Sequence, residues 1–375
     1  MKNVIVILLL FFGCTNLRAQ ETIARFKYED AEKAFVAQNY QECIDNLNEA
    51  EKLLGKTAPN ILHLKILAQY KLIEKDPYGD FELLVALHNG CATYLRDYDI
   101  AGLEEKYRDV YEVQEGIKDY PKTQAEYTAF IENQKQEIRT IFENYINAIG
   151  GREALDQVKS LYIKGEQTMG KETTNFEDKM IVGKKSHAIY YHPLNGYGAK
   201  KKKLELLTKM VSTENGAFVV DMKGNKKNLE NSLKAFPTKS LFPELDWVHL
   251  LESPNYDFKL KKENDYSSIT ILYKSDDLSH VTSMVCIYDS NTHLSTSKTV
   301  YYYPSSRPSE GLGKPIRYNH TNFEEFKQVG DIKLPFKRIS FAVDKTIETN
   351  NVQKISQEIS EISINEGVEP SDFEP

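Results

Sequence analysis

The sequence predicts an α+β chain of two domains: a set of α-helical hairpins, then an antiparallel β-barrel that stays unclosed and carries a helical lid. Three observations lead there. From residue 24 to about residue 136, apolar residues recur at three- and four-residue intervals, the period of helices buried on one side. After Gly150-Gly151 the period changes to two and returns in about eleven short runs. The 375 residues also hold 23 Tyr and 17 Phe beside a single Trp, an aromatic usage that favours pleated sheet.

The chain begins with Lys2, the apolar run Val4 to Phe12, and Gly13-Cys14 before Leu17-Arg18-Ala19. That run is too short to span a bilayer, so residues 1–20 are expected to be a secretory signal peptide cut near Ala19 or Gln20. The mature protein is then periplasmic or secreted. Gly13-Cys14 gives an alternative, in which Cys14 is the acceptor of a lipid anchor. Cys43, Cys91 and Cys286 are an odd, scattered set, which excludes a disulfide framework but leaves room for one pair; Cys43 and Cys91 lie in apolar helical patterns as small buried hydrophobes, and the three are expected to be mostly free thiols.

Residues 21–120 form the expected helical domain. Ala31, Ala34, Phe35, Tyr40, Cys43, Ile44, Leu47, Ala50 and Leu54 describe two helices joined at Gln38-Asn39. Ile61, Leu64, Leu67, Ala68 and Tyr70, then Phe81, Leu84, Leu87, Cys91 and Tyr94, describe two more, and residues 100–117 a covering helix. The spacing Ala-x-x-Ala-Phe-x-x-x-x-Tyr-x-x-Cys-x-x-x-Leu-x-x-Ala resembles a tetratricopeptide repeat. That resemblance implies a groove for a protein partner; the plainer reading is a helical bracket. Pro121 marks the break, with residues 121–136 a linker and the start of a connecting helix that reaches Ile149.

Residues 137–375 form the expected sheet domain. The β alternation begins at 161–165, and strands follow at 179–182, 187–191, 204–211, 217–221, 258–262, 268–273, 282–288, 296–302, 316–326, 334–343 and 353–364, with Gly224-Asn225, Asp276-Asp277 and Gly330-Asp331 as turns. Strands following one another with almost no helix between them make a meander that curls to limit its edges. Residues 229–251 interrupt it with a Pro-punctuated apolar segment. Phe236, Leu241, Phe242, Leu245, Trp247 and Leu250 in that segment are the expected lid and ligand-cavity residues.

The run from Tyr145 through Gly150-Gly151-Arg152-Glu153-Ala154-Leu155 to Val158-Lys159-Ser160-Leu161-Tyr162-Ile163-Lys164-Gly165 resembles the opening of lipoprotein-sorting carriers of the LolA/LolB type, in the form exported by Bacteroidota. Tyr288-Asp289-x-x-Thr292-x-Leu294, Gly330-x-x-x-Leu334-Pro335-Phe336-Lys337 and the ending Asp372-Phe373-Glu374-Pro375 agree with it. The resemblance covers residues 140–375. It implies an unclosed barrel with a helical lid over an apolar cavity that accepts a lipid or a lipoprotein acyl chain. The helical front of this chain is a departure from those carriers.

Chemistry-bearing patterns are sparse. Lys plus Arg number 48 against 55 Asp plus Glu, a net charge of −7, which argues against a nucleic-acid partner. The eight His form no His-x-His or His-Glu-x-x-His pair, and neither a Gly-x-Ser-x-Gly elbow nor a phosphate loop occurs. No catalytic residue, metal or cofactor is therefore expected, and the chain reads as a non-enzymatic envelope binding protein. The alternative is an envelope scaffold whose helical repeats recruit a protein. Lys200 to Lys203 is a solvated strand entrance or, alternatively, a peripheral contact with anionic headgroups.

Overall fold

The computed structural model describes residues 20–75, 79–98, 101–182, 186–193, 208–213, 216–221, 223–229, 241–273, 282–302, 317–344 and 351–374. The leader with Cys14, the Lys200–Lys203 run and Phe236 lie outside them. The chain is α+β: among the described residues, an N-terminal helical region precedes a large, unclosed, antiparallel sheet of 13 strands. Its contacts divide into two compact units, residues 1–133 and 134–375.

In the first unit, α1 (residues 20–36) turns at Gln38, whose φ of 62° is left-handed, into α2 (Tyr40–Leu54). Gly55 closes α2 in the same αL geometry, as helix C-termini commonly do. α3 (Pro59–Lys75), α4 (Phe81–Asp97) and α5 (Glu104–Gly116) follow. Asp80 caps α4 by accepting from the Leu83 amide at 3.0 Å. Small residues carry the first interface: Ala31, Ala34, Cys43, Ala50 and Ala68 lie in one buried cluster with Leu47 and Ile61. The second interface is larger, with Ile66, Leu84, Leu87, Tyr94, Val110 and Ile117.

The division at residue 133 falls inside α6 (Gln124–Ala148), not at Pro121 as the sequence predicts. The cause is which core each end of the helix serves. Tyr127 packs against Phe81 in the first unit, with ring centroids 4.9 Å apart, while Ile138, Phe142 and Ile146 are buried in the core of the second.

The second unit opens with the end of α6 and the short α7 (Arg152–Asp156), joined by Gly150 and Gly151. Their φ values of 134° and 85° suit glycine alone. A Cβ on Gly150 would also stand 2.5 Å from the Asp331 carbonyl oxygen. The Lys333 amide donates to the Ile149 carbonyl at 2.8 Å beside it, so the turn docks on a distant hairpin.

The strands are β1 (Ser160–Met169), β2 (Glu172–Ile181), β3 (Ser186–Pro193), β4 (Thr208–Thr213), β5 (Gly216–Asp221) and β6 (Lys226–Leu229). After α8 (Pro243–Leu250) come β7 (Tyr256–Lys262), β8 (Tyr266–Tyr273), β9 (Thr282–Asp289), β10 (Ser295–Tyr302), β11 (Arg317–Val329), β12 (Ile332–Asp344) and β13 (Asn351–Ile364). Two meanders meet where β1 pairs with β13, giving the order β6-β5-β4-β3-β2-β1-β13-β12-β11-β10-β9-β8-β7. The two edges, β6 and β7, are therefore neighbours in sequence, and α8 lies on the connection between them.

Three stretches differ from the sequence reading. β2 starts at Glu172, seven residues before the predicted strand, because residues 172–178, polar but for Phe176, also pair with β1. β6 was not predicted, and Leu229, placed by sequence in the apolar excursion, instead pairs opposite Ala217. The C-terminal tail, to which the sequence reading assigns no element, forms a 3₁₀ turn, Pro370–Phe373.

Side chains alternate along each strand, so each strand gives one set to the face that meets α6 and α8, called inner here, and the other set to the outer face. One buried cluster gathers inner residues of β1, β2, β12 and β13 together with those of β7, β8 and β9 around both helices. In a flat sheet β2 and β7 would lie about 38 Å apart at roughly 4.8 Å per strand, so the sheet curls around the helices.

Candidate functional site

The candidate site is α8 and its seat on the inner face. Pro243 occupies the first turn of α8, where a missing N–H costs nothing. The helix then buries Glu244, Leu245, Trp247 and Val248. Trp247 is 1% exposed, and its ring meets Phe142 of α6 at 5.7 Å. Phe142 in turn meets Phe258 of β7 at 6.3 Å and Tyr288 of β9 at 6.0 Å, and Tyr145 meets Tyr288 at 5.5 Å. Such edge contacts between rings add to the burial of their area.

Polar groups inside this seat are few and specific. The Tyr288 hydroxyl donates to Glu244 Oε1 at 3.0 Å. Burial raises the Glu244 carboxyl above the usual range, against the opposing effects of its own amide, Lys298 and Tyr288. Burial likewise pushes Tyr288 well up, with Glu244 adding to it, and holds the Cys286 thiol up at about 12. The Trp247 indole N–H is buried without a hydrogen-bond partner among the described residues. An unmet buried donor costs about 1–3 kcal/mol, so α8 is held by apolar contact while carrying a polar defect. Beyond its C-terminus, Glu252 accepts from Lys135 and Arg139 of α6, both at 3.0 Å.

A cavity of about 300 Å³ opens along the edge of α8. Leu155, Val158, Val182 and Leu245 are the apolar residues that line it, and Arg152, Asp156, Lys159, Asp246 and His249 the polar ones. Arg152 is also bound to Glu143 at 2.7 Å. Small-molecule sites run from roughly 300 to 1,000 Å³, so this space lies at the lower end of that range.

Of the residues singled out from sequence, Phe242, Leu245 and Trp247 are buried in the common core, and Leu241 and Leu250 pack half-buried against it. Leu245 also lines the cavity, whereas Trp247 is enclosed by aromatic side chains. Glu244 and Phe142 escaped the sequence reading, and Tyr145 and Tyr288 entered it only as motif residues, not as site residues. The aromatic excess was the one general signal for the three rings and none pointed to Glu244, because pairing α8 with β9 takes contacts across more than forty residues. The motif residues serve the fold. Asp289 Oδ1 accepts from the amides of Asn291 and Thr292 and from the Thr292 hydroxyl, which fixes the β9–β10 turn.

Among the described residues, no group of three or more His, Cys, Asp or Glu is placed to hold a metal ion, and no helix is long and apolar enough to cross a membrane. Cys43, Cys91 and Cys286 are free and buried. No protein-family model matches this chain, and no curated protein matches it. Among solved structures, it is similar to a DUF1329 family protein from Desulfovibrio piger ATCC 29098, at 12% identity and a TM-score of 0.37, over 63% of this chain and 97% of that one.

Proposed function

We propose that this chain is an exported envelope protein that binds without catalysing, and that its LolA-like second domain holds a lipid or lipoprotein acyl chain on the inner face of the sheet. The observation that carries this reading is the place of α8. It bridges the two open edges in sequence, seats an apolar face inside the curl, and leaves a partly apolar cavity along its own edge. An acyl chain that displaces α8 replaces apolar contact by apolar contact. Each methylene it buries contributes about 0.8 kcal/mol before ordering costs, so a long chain has the driving force to do this.

Trp247 is the only Trp and lies at that seat, so its emission reports the event. Titrating delipidated protein with fatty acids of increasing length, or with a diacyl lipopeptide, is expected to shift or quench the emission saturably and more tightly for longer chains. A folded protein with no saturable change and no heat of binding by calorimetry removes the reading.

A second reading is favoured by α1, where Ile23 and Phe26, three residues apart on one helix face, are 47% and 50% exposed. In it the helical region, as a tetratricopeptide-like groove, holds a protein partner. Crosslinking of the full chain in cells that is lost with Phe26→Ser, while fatty-acid binding persists, supports this second role.

A further inference from the structure

Arg338 and Asp178 meet inside the curl although they belong to strands three apart. Arg338 is on β12 and Asp178 on β2, with β13 and β1 between them in the sheet. Three strand spacings put their backbones about 14 Å apart in a flat sheet. Guanidinium Nη1 and carboxylate Oδ2 are nevertheless 3.7 Å apart, so both side chains reach over the inner face. Register gives the same face. Arg338 is two residues beyond Phe336, and Asp178 is two from Phe176 and two from Met180, all three of which pack in or against the inner core.

The surroundings of Arg338 are polar on one side and apolar on the other. Its cross-strand neighbours are Gln357 on β13 and Phe323 on β11. Gln357 donates to Gln167 Oε1 at 2.9 Å, and Gln167 is hydrogen-bonded to the Tyr191 hydroxyl. Thr321 and Ser340 hydroxyls join at 3.0 Å one step further along β11 and β12. At 3.7 Å the Asp178 contact is longer than a charge-assisted hydrogen bond. The Arg338 Nε–H is buried and has no hydrogen-bond partner among the described residues, while the side chain as a whole is 21% exposed. A guanidinium whose buried Nε–H meets no protein acceptor has a donor left for a planar or tetrahedral oxyanion.

We propose that the inner face carries an anion-binding site centred on Arg338, which takes the carboxylate or phosphate oxygens of an amphipathic ligand whose apolar chain runs toward the α8 seat. The site rests on the acyl-chain reading above and adds to it the charge of the ligand. Arg338 donates from Nε to the ligand's oxygen, and Gln357, Gln167 and Tyr191 border the headgroup.

The test compares dodecanoate with its methyl ester, which keeps the chain and removes the charge, on the full purified chain with Trp247 emission as readout. The native protein is expected to bind dodecanoate at least about tenfold more tightly, the worth of one charge-assisted hydrogen bond. Arg338→Gln is expected to abolish that preference and leave ester affinity unchanged. Equal binding of acid and ester by the native protein overturns the anion site and leaves the acyl-chain reading standing. If neither binds, the acyl-chain reading falls, and the site is judged by the Arg338 Nε–H resonance, assigned by its loss in Arg338→Lys. A saturable shift of that resonance with inorganic phosphate or acetate supports the site, and the tighter of the two separates a phosphate from a carboxylate source. No shift with either overturns it. The resonance readout also serves if Arg338→Gln does not fold.

Discussion

The sheet is clasped on its two faces by two short helical segments, α8 inside and the C-terminal 3₁₀ turn outside, and the two hold by different chemistry. α8 buries Leu245, Trp247 and Val248 in the main core and keeps one carboxyl, Glu244, in an apolar surround. The 3₁₀ turn places a single ring, Phe373, in a small cluster with Ala188, Val211, Phe218 and Val220. Its other anchors are polar. Asp372 accepts from Lys179 at 2.7 Å and from the Tyr190 hydroxyl at 3.1 Å, and Lys209 donates to the Glu374 carbonyl. Burial raises Asp372, but the Glu369 amide, Lys179 and Tyr190 outweigh it and hold the carboxyl below its usual range. The inner clasp's carboxyl therefore holds its proton more tightly than an ordinary carboxyl, and the outer one's less tightly. A segment seated on apolar contact can be exchanged for another apolar body, whereas one seated on directed hydrogen bonds and an ion pair cannot. This is why α8, and not the 3₁₀ turn, is the element assigned to ligand entry.

The largest expected difference between the clasps is in stability. Trp247→Ala is expected to cost about 3–5 kcal/mol, through lost transfer energy and the cavity left beside Phe142. Phe373→Ala, at the chain end where neighbours relax more easily, is expected to cost about 2 kcal/mol or less. Urea denaturation followed by circular dichroism measures both, and equal losses would break the distinction.

Next in size is the dependence on pH. Glu244 binds its proton more tightly folded than unfolded, so its contribution is complete below about pH 4.5 and is lost as pH rises through its elevated native value. Asp372 is the reverse. Its contribution is complete above about pH 3.8 and is lost as pH falls through its depressed native value. Glu244→Gln is expected to flatten the alkaline side of the stability profile, and Asp372→Asn the acid side. Melting temperatures from pH 3 to 9 check this, and an identical change of profile in both variants would contradict it.

A finer test uses the Gly150 turn that positions α6 beneath α8. Gly150→Ala sets a Cβ against the Asp331 carbonyl and is expected to cost about 2 kcal/mol or more, while Gly170→Ala, with open space at φ 61°, is expected to cost about 1 kcal/mol. If α8 depends on that turn, Gly150→Ala also increases the access of acrylamide to Trp247, and Gly170→Ala does not.

The smallest effect concerns Cys286, whose thiol lies in the α8 core with its pKa held at about 12 by burial. Native protein is expected to alkylate slowly at Cys43, Cys91 and Cys286 alike. Addition of a long-chain fatty acid then quickens Cys286 alone, by peptide mapping, since only that thiol lies in the α8 core. A rate unchanged by saturating ligand would mean that α8 does not move.

The sequence by itself determined what rests on local repetition. The three- and four-residue spacing of Ala31 to Leu54 requires buried helix faces, and Gly150-Gly151 ends one period and begins another because only glycine takes those backbone angles. Trp247 and its neighbours were legible as an apolar helix inside a strand-rich region. The tertiary structure alone decided which strands became edges, that β1 closes on β13, and that the tail turns back to bury Phe373. It also brought Arg338 to Asp178 and Glu244 to Tyr288, across 160 and 44 residues of chain. Register and curl are set by pairings between residues far apart in sequence. A residue such as Asp178, polar in a polar strand, carries no local sign of the face it will occupy until those pairings exist.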